Sequence, residues 1–218
     1  MGRIERMSKL LEKAYGAPDS AHIPKDPIGT LVSTILSQNT SDRNSIPAFL
    51  SLKRKFKTWQ NVENARESSI ASAIRKGGLA NIKAIRIKRA LRAIQQRNGR
   101  LSLAFLAKMP TAKAREWLLS LGGVGPKTAA IVLLFGFGMP VFPVDTHIFR
   151  VGKRLGLIGK NESYESAHET MDRLVPDTKK QPFHINLIRL GRETCHPRKP
   201  ECKKCPLRKG CPSAFKAP

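Results

Sequence analysis

The chain has 218 residues, 40% hydrophobic and 26% charged, enough to bury a core in one large or two small domains, which excludes wholesale disorder. Forty Lys and Arg against sixteen Asp and Glu give a net charge of +24, and a globular protein this basic repels itself unless it meets a polyanion, so nucleic acid is the first partner to consider. No run of eighteen apolar residues exists, and the N-terminal stretch mixes Glu5 and Glu12 with basic residues and lacks an apolar centre, so neither a transmembrane helix, a membrane anchor nor a secretory signal is expected.

Taken in chain order, the pattern is helical throughout. An N-terminal helix is followed by one over Pro27 to Gln38, where Leu31, Ile35 and Leu36 share a face. Further short helices are expected over 45–57 and 67–76. In the next segment Ile82, Ile85, Ala90, Leu91 and Ile94 form the apolar face, and Lys83, Arg86, Lys88, Arg89 and Arg92 fall elsewhere. Pro110–Thr111 is a helix-start signal for a body over Lys113–Leu121. Thr128–Phe137 is almost wholly apolar and reads as a buried helix, and 146–155, 163–174 and 182–192 complete a set of about ten. No segment alternates with the period of a strand, so the expected fold class is all-α with short loops.

The positive charge is concentrated. From Ser68 to Arg115 there are twelve Lys and Arg and no acid, and from Trp117 to Asn161 the single acid is Asp145. Solvated helix faces ordinarily mix both signs, so these runs point to a nucleic-acid surface. Within them lies Leu121-Gly122-Gly123-Val124-Gly125-Pro126-Lys127-Thr128. Gly123 and Gly125 permit positive φ and bare their amides, Val124 can pin the turn into the core, and Pro126 suits a first helical position. The amides at the following helix start then face outward, toward a phosphate.

Asp145 follows Lys127 by eighteen residues. Alone, Asp145 reads as a helix N-cap and Lys127 as a phosphate contact. Together they suit chemistry at a sugar carbon: an amine as nucleophile, and an isolated carboxylate that stabilises developing positive charge or relays a proton. The four cysteines, Cys195, Cys202, Cys205 and Cys211, span seventeen residues as C-x6-C-x2-C-x5-C. They can wrap one metal centre, and the spacing by itself leaves iron–sulfur and zinc open. Thiols confined to one such cluster suit the inside of a cell, where they stay reduced or metal-bound. His22, His147, His168 and His184 show no interpretable pairing, and His147 reads as a structural helix residue.

The glycine hairpin with Lys127, the Pro143-Val144-Asp145-Thr146-His147 segment and the cysteine spacing together resemble the endonuclease III family of helix–hairpin–helix–GPD DNA glycosylases, over about Pro27 to Cys211. The resemblance implies a base-excision-repair glycosylase with AP lyase activity that removes damaged, chiefly oxidised, pyrimidines from duplex DNA. It implies Lys127 as nucleophile and lyase residue, Asp145 as its carboxylate partner, and a [4Fe–4S] cluster on the four cysteines. It implies DNA contacts from the hairpin at Gly123 and Gly125, from Gln38 and Leu79 as wedges in the opened duplex, and from Arg198 and Lys199 on the cluster loop, with Lys203 and Lys204 next. It implies double-stranded DNA holding damaged bases or abasic sites as the partner, and a monomer with no membrane association is expected.

The implied architecture is two helical lobes with a DNA-binding cleft between them. One is a six-helix barrel over 23–137, with the hairpin at about 121–127. The other joins 1–22 to 138–218 and carries the cluster. Three positions depart from the family pattern: Ala80, Asn39 and Pro126 replace a frequent Tyr, Ala and Arg. Alternatives are a monofunctional adenine or thymine/uracil mismatch glycosylase, which Lys127 and Thr34 argue against, and a non-catalytic DNA-binding module, which has no need of both Lys127 and Asp145. A lyase for alkylated or photodimerised bases is a further alternative.

Overall fold

A computed structural model describes residues 2–18 and 26–214; His22 lies outside them. All regular elements among the described residues are helices, as expected for an all-α chain. The α-helices are α1 (Arg3–Tyr15), α2 (Pro27–Ser37), α3 (Asp42–Lys55), α4 (Trp59–Asn64), α5 (Glu67–Ala73), α6 (Ala80–Asn98), α7 (Thr111–Leu119), α8 (Pro126–Phe137), α9 (Thr146–Leu155), α10 (Ser166–Leu174) and α11 (Lys180–Glu193). No described helix is long and apolar enough to cross a membrane.

The chain divides into two compact units, Pro24–Gly138 and Met1–Ile23 with Met139–Pro218. In the first, α2 packs along α8. The approach is close: a Cβ on Gly136 would meet the Pro27 Cβ at 3.2 Å. Leu31, Ile35, Leu36, Leu133 and Val132 are buried there, and Ile87, Leu91 and Ile94 of α6 join the buried set. Asp26 caps α2, accepting from the Gly29 amide at 2.8 Å, and Pro27 takes the first helical position, where no N–H is needed. In the second unit α11 packs against α1 and α9, around Leu11, Phe142, Ile148, Val151, Phe183 and Leu187.

Two expectations from the sequence change. The six-residue helix α4 has no sequence signal, because it is too short for an apolar period. It starts from a local cap, Thr58 Oγ1 accepting from the Asn61 amide at 3.1 Å. The buried face of α6 is also rotated from the expected one. Ile82 is 48% exposed, whereas Lys83 and Lys88 are buried alongside Ala84, Ile87, Leu91 and Ile94. Lysine takes those positions because each ammonium reaches a backbone carbonyl at the far end of its stem. Lys88 donates to Ala65 O, and Lys83 donates to Leu36 O and Gly77 O at 2.7 and 2.8 Å.

Candidate nucleic-acid interface and active site

The hairpin between α7 and α8 is held from beneath. Leu121 and Val124 are buried, and the Val124 amide donates to Leu121 O at 3.0 Å, which closes the turn. Gly122 and Gly123 are exposed. Gly123 has φ +89°, which favours glycine, and a Cβ there would meet Arg86 Cδ at 2.7 Å and so displace that side chain. Gly125 differs from expectation. Its φ is −95°, an extended N-cap conformation open to any residue, and a Cβ would meet nothing within 4 Å. Having no side chain, Gly125 leaves the first amides of α8 uncapped. Pro126 is the first helical residue, and Lys127 is the second and half-buried. No hydrogen bond or ion pair among the described residues ties down the Lys127 ammonium.

Gln38 ends α2 and lies against this hairpin. Its Nε2 donates to Gly123 O at 3.0 Å and approaches Thr128 Oγ1 at 3.4 Å, and its Oε1 accepts from Arg86 Nη1 at 2.8 Å. Sequence reasoning missed Arg86, which serves the glutamine and the glycine at once. Only the folded α6 turns it toward both.

Leu79 is 51% exposed and stands at the N-cap of α6 in the left-handed region, with φ +49°. For a leucine this costs about 1–2 kcal/mol. The other non-glycine residues with positive φ among the described residues are Asn39, at +51°, and Lys199, at +50°. All three stand at, or directly beside, positions that the family resemblance implies as DNA contacts. Backbone strain of this kind collects where function holds it in place.

Asp145 is 7% exposed and caps α9, its Oδ1 accepting from the Ile148 amide at 2.7 Å. The two residues before it are gripped by three rings that sequence reasoning did not find. Tyr164 donates its hydroxyl to Val144 O at 2.7 Å, the Val144 amide donates to His168 Nδ1 at 3.3 Å, and His184 Nδ1 lies 3.0 Å from Pro143 O. Burial, with the Asp145 charge second, pushes the Tyr164 hydroxyl up to about 12. These partners lie 20 to 41 residues from the strap, beyond the reach of any local pattern. His147 is a helix residue whose Nδ1 lies 3.3 Å from Arg150 Nη2.

The four cysteines are unbridged, and all four line one cavity of about 440 Å³ together with Val151, Arg154 and Leu190. No three His, Cys, Asp or Glu side chains among the described residues are gathered to hold a single metal ion. Four thiols lining one cavity can serve as ligands to a shared metal centre. Burial, together with the three neighbouring thiols, pushes the Cys205 thiol up, so the set calls for a cationic centre before it can ionise together. Arg154 braces the rim, donating to His196 O at 2.6 Å, Pro197 O at 2.9 Å and Cys195 Sγ at 3.3 Å. Arg198 and Lys199 follow in the same loop and are exposed.

Residues 32–177 match the family described as HhH-GPD superfamily base excision DNA repair protein. The chain is 42% identical over 158 residues to a protein of Arabidopsis thaliana named as a DNA glycosylase, a match covering 72% of this chain and 53% of that one. The chain thus spans about half the length of the plant relative. It is 34% identical to endonuclease III of Thermotoga maritima, over 95% of this chain and 92% of the relative. Among solved structures it is similar to a non-covalent endonuclease III–DNA complex, with a TM-score of 0.82, 27% identity, and coverage of 99% and 98% of the two chains. With the family pattern spread over both the hairpin and the Asp145 strap, the chain belongs to the HhH-GPD superfamily of base excision DNA repair proteins.

Proposed function

We propose that the chain is a DNA glycosylase and AP lyase that removes oxidised pyrimidines from duplex DNA by lysine Schiff-base chemistry. The observation that carries the lyase reading is Lys127: an amine with no partner among the described residues, in the first turn of a helix whose leading amides are uncapped and open to a phosphate. Asp145 is the second support, a buried carboxylate fixed at one oxygen by a backbone amide.

The steps follow from these groups. The damaged base is flipped out of the stack, and Gln38 and Leu79 occupy the space it leaves. The bond between the base and C1′ breaks through an oxocarbenium-like sugar, whose positive charge the Asp145 carboxylate stabilises. The Lys127 amine bonds to C1′, and the base departs with the bonding pair and a proton. Opening of the sugar ring gives the imine. Loss of a proton from C2′ then expels the 3′ phosphate, and water releases the aldehyde from the lysine.

Cys195, Cys202, Cys205 and Cys211 would hold a [4Fe–4S] cluster, which cross-links the loop and takes no part in these steps. The loop carries Arg198 and Lys199, which supply phosphate contacts, as do the amides around Gly123. Acting on genomic DNA, the protein works inside the cell.

Borohydride trapping tests the reading. Duplexes with an abasic site or with thymine glycol are incubated with native protein and with Lys127→Ala. Covalent capture on both by the native chain, absent in the variant, is expected. Failure of the native, cluster-loaded protein to trap on either duplex would overturn the lyase assignment.

A further inference from the structure

Lys83 is among the large side chains that are fully buried among the described residues, at 1% exposure, and the mechanism does not use it. Its ammonium donates to Leu36 O at 2.7 Å and to Gly77 O at 2.8 Å. Each carbonyl lies two residues before a wedge: Leu36 before Gln38, and Gly77 before Leu79. The Lys83 amide also donates to Leu79 O at 2.9 Å, so main chain and side chain together encircle the Gly77–Leu79 turn.

Core filling does not account for a lysine at this position. An ammonium withdrawn from water with no carboxylate beside it among the described residues is costly, and an apolar chain of similar volume packs as well without that cost. Burial and the neighbouring Arg86 both disfavour its charged form. The two acceptors are informative. Leu36 O belongs to the last turn of α2, where carbonyls have no intrahelical partner, and Gly77 O ends the short turn before the strained Leu79. They are 47 and 6 residues from Lys83, on two separate segments that the one ammonium joins.

We propose that Lys83 is a positioning residue for excision, its buried ammonium locking the Gln38 loop and the Leu79 loop into one rigid double wedge. The proposal rests on the reading of both loops as duplex wedges. A wedge set before encounter spares the ordering of two loops during base flipping, and misplacement by about 1 Å can cost about 100-fold in rate. An already exposed sugar needs no wedge, so its chemistry is indifferent to the lock.

The test compares native protein with Lys83→Met. One arm is single-turnover excision of thymine glycol from a duplex, with 2-aminopurine opposite the lesion to report opening. The other is borohydride trapping on a preformed abasic site in single-stranded DNA. Lys83→Met is expected to lose about 100-fold on the duplex, with a weakened 2-aminopurine rise, and to keep near-native trapping on the single strand. Equal loss in both arms, or none on the duplex, would overturn the proposal. A native protein that does not trap on the single strand would instead sink the lyase reading, independently of Lys83.

Should Lys83→Met fail to fold by circular dichroism, a cycle in the native background decides. Gln38→Ala with Leu79→Ala is expected to lose little more than the worse single variant, since locked loops act as a unit. Strict additivity would count against the lock.

Discussion

The Gln38 side-chain amide donates to the Gly123 carbonyl oxygen at 3.0 Å, across 85 residues of sequence. Thus the residue proposed to enter the duplex and the turn proposed to grip its phosphates are fixed to each other before any DNA arrives. Arg86 closes the arrangement, bonded to Gln38 and packed under Gly123.

That packing separates the two hairpin glycines. Gly123→Ala meets both a positive φ and the Arg86 side chain, and should cost about 1–2 kcal/mol. Gly125→Ala meets neither and should stay within about 0.5 kcal/mol of native. Thermal melts of both variants check this. A loss of DNA affinity in Gly125→Ala without a change in Tm would mean that the glycine serves close approach of phosphate alone.

Asp145 has two roles that substitution can part. An asparagine side chain in its place would still accept from the Ile148 amide but carry no charge, so Asp145→Asn should keep its Tm while excision falls about 100-fold or more. Asp145→Ala should lose the cap as well, at about 1 kcal/mol. Melting curves beside single-turnover rates distinguish the two variants.

Tyr164 ties the strap before Asp145 and titrates late, at about 12. The unfolded chain loses this proton near 10, so between about 10 and 12 the native state binds more protons than the unfolded state. Stability from this group is therefore complete below about pH 10 and falls as pH rises toward 12. Tyr164→Phe should lose about 1 kcal/mol at neutral pH, from the missing bond to Val144 O, and should show a shallower alkaline decline than native. Denaturant titrations at several pH values check it.

Lys199 combines exposure, charge and φ +50°. Lys199→Gly removes a cation and relieves the backbone, so Tm should not fall, while the slope of log K against log salt should shrink by about 0.9. Arg198→Ala should shrink the slope similarly without relieving any strain. Binding isotherms at several salt concentrations measure both.

Features governed by neighbouring residues were legible in the amino-acid order. Helix α9 begins and ends where expected because Asp145 caps it and Gly156 ends it in the left-handed region. Helix α2 starts at Pro27 for a similar reason, and the hairpin was legible because Gly123, Val124 and Pro126 each suit one backbone requirement. The cysteine spacing suits a metal-binding loop without choosing the metal, and the fold brings all four thiols to one cavity.

The packing of helices, in contrast, chose which side chains serve those segments. Lys83 and Lys88 fall off the expected apolar face, in a run that reads as a nucleic-acid surface, yet their stems run through the core to carbonyls on other segments. Tyr164, His168 and His184 carried no readable signal, because the backbone they hold lies 20 or more residues away. Caps and turns are settled within about four residues, so sequence displays them. A buried polar group takes whichever partner packing brings near, and that is fixed only when the helices meet.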